Sequence, residues 1–158
     1  DSPDLTYTQT TAIYKKDLTE SDDSNKITTW KQATSNRFIV QLHVFTSDDV
    51  NKRIDVVESL ADKAPTPPVA NPIMTSTSIG QVVLSTASFI FAATSGSTTL
   101  TGPTSMVRVS PASIANNRLI AAYQILDTDV STSGTFTSSN ADGSECGVVS
   151  VRLLMVDL

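Results

Sequence analysis

His43 and Cys146 are the only histidine and the only cysteine in this chain of 158 residues. Any nucleophilic chemistry would have to pass through one of them or through a hydroxyl activated by the histidine. An Asp–His–Ser relay can be assembled from residues far apart in sequence. No Gly-x-Ser-x-Gly elbow is present, however, to expose a serine nucleophile. His43 lies in the apolar run between Phe38 and Phe45, which points to a packed structural imidazole. Cys146 follows Glu145, whose charge disfavours a thiolate, and its nearest base in sequence is Arg152. A structural cysteine is expected, and no catalytic residue is assigned.

Metal and cofactor chemistry are equally thin. One histidine and one cysteine cannot supply a zinc site of the usual ligand types. Calcium takes oxygen ligands, so Asp127 with Asp129, and Asn140 with Asp142 and Glu145 around Gly143, are the groups to consider. Neither has the spacing of a helix–loop–helix calcium site, and solvated turn residues are the expectation. If 127–129 were strand, Asp127 and Asp129 would share a face and meet a neighbouring subunit's carboxylate over an ion. The glycines never fall as Gly-x-Gly, so no phosphate-cradling loop is expected. Paired carboxylates across a cleft would suit glycoside hydrolysis, but the acidic residues concentrate at 20–23 and 48–62, where solvation explains them. Tyr7, Tyr14, Trp30 and Tyr123 would suit a sugar-stacking platform, or equally ordinary sheet positions. No cofactor and no metal are expected.

The elements that must carry these residues are marked by an asymmetry of charge. Residues 1–63 hold 19 of the 27 charged side chains, and the remaining 95 residues hold 8 together with 28 serines and threonines. A hydroxyl surface solvates adequately but repels neighbours weakly, which suits faces covered by other subunits. Threonine also favours strands and serine favours turns. Net charge is −5 and no basic run exceeds two residues, so direct nucleic-acid binding by these residues is not expected. No Asn-x-Ser/Thr sequon occurs. No apolar stretch is long enough to span a bilayer, so no membrane insertion is expected. The chain opens on Asp1 rather than methionine, which suggests a processed or excised polypeptide.

Period-2 alternation predicts a strand over residues 5–14, a central strand over 37–46 with Val40 and Leu42 buried, and a long buried strand over 147–158 with Val151 and Leu153 inside. Short strands are expected at 27–31, 81–84 with 88–94 (one bent strand or two), 105–109, 119–126 and, at an edge, 135–137. A helical turn is expected from Ser110 to Asn116, and turns at 95–97 and 138–143. One helix is predicted over 47–63: Ser47 caps it, and Val50, Ile54, Val57, Leu60 and Ala61 repeat at helical spacing. The prolines of 65–68 stop it.

The chain therefore reads as a single mainly β domain over 1–158: an antiparallel β-sandwich or jelly-roll-like barrel of about eight strands with one inserted helix. That architecture resembles viral capsid subunits in layout, without a shared motif. The expected function is a non-enzymatic structural subunit that assembles with copies of itself, as a coat, spike or tail component of a virus or phage particle. The second reading is a secreted or cell-surface adhesion module for a receptor or glycan. Thr6, Tyr7, Thr8, Gln9, Thr10 and Thr11 are the candidate subunit interface, through a terminal strand able to extend a neighbour's sheet.

Overall fold

The computed structural model describes residues 13, 39–46, 49, 51–91, 98–114, 116–140 and 145–157. Nine strands run through them: β1 (Lys52–Ala64), β2 (Val69–Ala70), β3 (Gln81–Ile90), β4 (Leu100–Thr101), β5 (Val107–Arg108), β6 (Ala112–Ile114), β7 (Asn117–Leu126), β8 (Thr135–Ser138) and β9 (Glu145–Asp157). The large antiparallel sheet has the order β1-β9-β3-β7-β5, with β6 also paired to β7. The small sheet has the order β2-β8-β4. The fold is mainly β and sandwich-like.

The main core lies between the sheets. Val69, Leu100 and Phe136 come from the small sheet. They meet Val83, Ala87 and Phe89 of β3, Ile120, Ala122 and Leu126 of β7, and Cys146 and Val148 of β9. Phe89 and Phe91 stack with ring centroids 6.4 Å apart. Gly102 sits where a Cβ would come to 3.4 Å from the Phe136 ring, which lets the backbone approach that side chain. The segment 71–76 is laced to 130–134 by Asn71 N–H to Gly134 C=O, Thr132 N–H to Met74 C=O and Ser76 N–H to Val130 C=O, at 2.9–3.0 Å. The Thr132 hydroxyl donates to Pro72 C=O and accepts from Met74 N–H, so a fully buried polar side chain is satisfied.

Deeper between the sheets, Ser85 and Ser150 face each other across β3 and β9 and hydrogen bond at 2.8 Å. Ser150 also donates to the Asn71 carboxamide oxygen at 3.2 Å, and all three residues are buried. Arg152 closes the open end of the core. Its Nε donates to Glu58 at 2.9 Å and its Nη1 to Gln81 Oε1 at 2.8 Å. The Gln81 amide nitrogen in turn donates to the hydroxyls of Thr77 and Ser78.

The strand over 147–158 is present as β9, a central strand with Val151 and Leu153 buried. Residues 81–84 and 88–90 share one strand, β3, while 92–94 lie outside the described residues, and the strand expected over 119–126 is present as β7. Four expectations are corrected.

Residues 52–63 of the predicted helix are strand β1. A bulge between Val56 and Glu58 shifts the register against β9, so Ile54 pairs with Met155 while Leu60 pairs with Ser150, on the opposite face. One extra residue turns two runs of period 2 into spacings that imitate a helix.

Residues 39–46 form no strand, and Val40, Leu42 and Val44 are exposed, Leu42 at 69%. The alternation is real, but Ile39, Gln41 and His43 are its half-buried side. The expected helical turn at 110–116 contains β6, which pairs with β7 from Ala112–Leu119 to Ile114–Asn117. Strand β8, expected at an edge, is the middle strand of the small sheet. The strands expected at 5–14 and 27–31 lie outside the described residues, Ile13 excepted.

Candidate interaction surface

The face of the large sheet turned away from the small sheet is built by register. Val56 on β1 pairs with Leu153 on β9, Leu153 with Val82 on β3, and Val82 with Ile125 on β7. Paired residues in antiparallel strands share a face, so these four make one apolar row across four neighbouring strands. The next row runs Ser59, Val151, Leu84, Tyr123 and Val107. Leu84, Ala121, Val151 and Leu153 form the buried centre of this face, with Ile13, Ile54, Val82, Val109 and Tyr123 packed against them. Cover is uneven: Leu153 is 8% exposed, Val56 37%, Met155 50% and Ile125 66%. Lys52 and Asp157, paired across β1 and β9, stand at the end of the strands beyond Ile54 and Met155. An exposed apolar band with a polar rim is the usual form of a contact surface.

At its other end, beside β5 and β7, this face lies under residues 39–46. Gln41 Nε2 donates to Ser110 C=O at 3.1 Å. A shallow cleft of about 400 Å³ opens between this segment and the sheet, lined by Leu42, His43, Val44, Phe45, Val109 and Tyr123. His43 Nε2 is enclosed and, among the described residues, meets no hydrogen-bond partner. Burial lowers the imidazole pKa, because the charged form loses solvation. The described residues set no carboxylate or hydroxyl in hydrogen bond with His43, so the relay considered from sequence is not assembled among them.

Cys146 is buried beside β1, and its thiol donates to Ala64 C=O at 3.4 Å. Desolvation raises the thiol pKa, and an interaction with the Ala64 backbone partly offsets it. Asp127 and Asp129 follow β7 in a turn rather than a strand, and both are exposed. Asp127 C=O accepts from Val130 N–H at 3.2 Å and from the Ser76 hydroxyl, while Asp129 N–H donates to Ser76 C=O at 3.2 Å. Asp129 has φ 62°, a left-handed turn conformation that aspartate tolerates. The backbone thus occupies this turn, and the shared strand face expected for the two carboxylates is not formed.

Among the described residues no three His, Cys, Asp or Glu side chains cluster as a metal site would require. Glu145 opens β9 and Asn140 is described, but Asp142 lies outside the described residues. So do the interface candidates Thr6, Tyr7, Thr8, Gln9, Thr10 and Thr11, and the aromatic residues Tyr7, Tyr14 and Trp30. Tyr123 stands on β7, at the cleft.

No family model, curated protein or solved structure matches this chain. The apolar row was not visible in any single strand of the sequence. Val56, Val82, Ile125 and Leu153 become neighbours only through pairing, and the sole local trace was an apolar residue at alternate positions.

Proposed function

We propose that this chain is a non-enzymatic structural subunit that assembles with copies of itself, as a coat, spike or tail component of a virus or phage particle. The observation that carries the reading is the apolar row Val56–Leu153–Val82–Ile125, continuous across four strands and uncovered toward Ile125 and Met155. Exposed Ile125 on β7 and Met155 on β9, with β3 between them, gain free energy when a partner surface removes them from water, at about 25 cal/mol per Å² of apolar area. A charge-poor, hydroxyl-rich second half supports the same reading, since few ionic groups need desolvation when subunits meet.

Light scattering and negative-stain imaging of the native protein test it, together with Ile125→Lys. The expected result is a large particle for the native chain. Ile125→Lys should give small species with an unchanged circular dichroism spectrum. A native protein that stays monomeric at high concentration overturns the assembly reading. If that monomer is retained on a glycan or receptor surface, the adhesion-module reading takes its place.

A further inference from the structure

Among the described residues, β1 is a sheet edge of unusual length. It is 13 residues long and, among the described residues, it pairs only with β9. The opposite edge is made of two short strands along β7, β5 of two residues and β6 of three. Long edges are commonly protected by charge and by bulges that discourage pairing with another chain. β1 has both, and protection alone would account for charge of either sign in any arrangement. The arrangement found is more specific than that.

The bulge between Val56 and Glu58 sets which side each residue takes. On the side facing the small sheet stand Arg53 and Asp55 before it, and Glu58, Leu60 and Asp62 after it. On the far side stand Lys52, Ile54 and Val56 before it, and Ser59, Ala61 and Lys63 after it. A second copy related by a two-fold axis normal to the sheet would run antiparallel and keep like sides together. One such register engages β1 from Lys52 to Lys63 and sets Arg53 opposite Asp62 of the second copy, twice by symmetry. It also sets Ile54 opposite Ala61 and Val56 opposite Ser59.

Sliding by two residues one way brings Asp55 opposite Glu58, and sliding the other way brings Asp55 opposite Asp62. Both slips replace an attraction with a repulsion, which is how cross-strand charge selects a register. Lys52 falls opposite Lys63 in the favoured register, but Lys52 already faces Asp157 across β9. Arg53 and Asp62 are both exposed, and Arg53 lies 3.5 Å from Asp55 on its own strand, so its guanidinium is already held on the side the pairing uses.

We propose that β1 is a self-recognition edge, through which two copies join their large sheets antiparallel, in the register fixed by the two Arg53–Asp62 pairs. This rests on the reading of the chain as a self-assembling subunit and names one contact of that assembly.

Sedimentation velocity on the full chain tests it, with Arg53→Asp, Asp62→Arg, their equimolar mixture and the double variant. Each single variant should associate about tenfold more weakly, because two symmetry-related pairs turn from attraction to repulsion. The mixture should recover native association as a heterodimer, since both of its pairs are again complementary. The double variant should recover it as a homodimer. Circular dichroism should be unchanged throughout, because both positions are exposed.

Single variants that associate like the native chain, or a mixture no tighter than its components, would overturn the edge pairing. If large particles form indifferently to these changes, the pairing falls and the assembly reading stands. If the dimer responds as expected but nothing larger ever forms, the pairing stands and the particle reading falls.

Discussion

β1 and β9 are each 13 residues long and pair with each other from Lys52–Asp157 to Ala64–Cys146, yet their compositions are opposed. β9 is covered by β1 on one side and β3 on the other, and its interior carries a single charge, Arg152, engaged by Glu58 and Gln81. β1 stands at the edge and carries Lys52, Arg53, Asp55, Glu58, Asp62 and Lys63. Two strands of one length in one ladder thus differ in charge because they differ in neighbours. In this stretch of the chain charge reports position in the sheet, and the helix read from the same residues mistook an edge for a solvent-facing helical surface.

The comparison can be broken most decisively by truncating the same residue type in each strand. Leu153→Ala on β9 should cost about 2–4 kcal/mol, the range for a buried leucine whose site cannot collapse. Leu60→Ala on β1, where the side chain is 39% exposed, should cost less than about 1 kcal/mol. Urea unfolding of both variants measures this, and equal costs would mean that the edge strand is as deeply packed as the central one.

A smaller effect sharpens the contrast at the point where the two strands share a charge. Arg152→Ala removes the donor to both Glu58 and Gln81 Oε1. The loss should be about 1–3 kcal/mol, because Glu58 loses this donor and Gln81 Oε1 keeps only the 3.2 Å bond from Thr77 N–H. Glu58→Gln should cost less than Arg152→Ala, because Gln81 Oε1 would keep both its donors, Arg152 and Thr77 N–H. The two unfolding midpoints give the order.

The smallest effect concerns the other side of the sheet. Burial lowers the His43 pKa in the folded protein, whereas an unfolded histidine titrates near about 6.5. The unfolded chain therefore binds the extra proton first, and stability should fall as pH drops below about 6.5 toward the lowered folded value. His43→Gln should lack that part of the decline. The difference between the two stability profiles between about pH 5 and pH 7 should be under about 1 kcal/mol. A flat difference would place the imidazole in solvent.

The long strands legible in sequence were those whose two faces keep one phase from end to end, β3, β7 and β9, and the short β5 and β8 were also expected where they stand. β1 escaped because its bulge changes phase at Val57, and residues 39–46 because alternation reveals two sides without saying which is inward. Gln41 and His43 turn toward the protein there while Val40 and Leu42 turn out, an order that hydrophobicity alone reverses. Pro111 and the residues after it suggested a helical turn, but pairing with β7 won, since Ala112 and Ile114 each find a ladder partner. The candidate surface was illegible for a different reason. Its members sit on four strands, and only the register of three pairings brings Val56, Leu153, Val82 and Ile125 into line.

That dependence on register gives the buried trio of Ser85, Ser150 and Asn71 a consequence beyond satisfying its own polar atoms. The middle of β3 reads Ser85, Thr86, Ala87, Ser88, small residues that would sit almost as comfortably two places along. A ladder of such similar rungs is ambiguous by shape alone. Sliding β9 by two residues would set Val148 or Arg152 opposite Ser85 and leave its hydroxyl sealed against an apolar or charged neighbour, while Asn71 lost its contact with Ser150. The trio works as an alignment key. It distinguishes the one correct alignment from its near-duplicates, and with that alignment it determines which side chains the outer face displays.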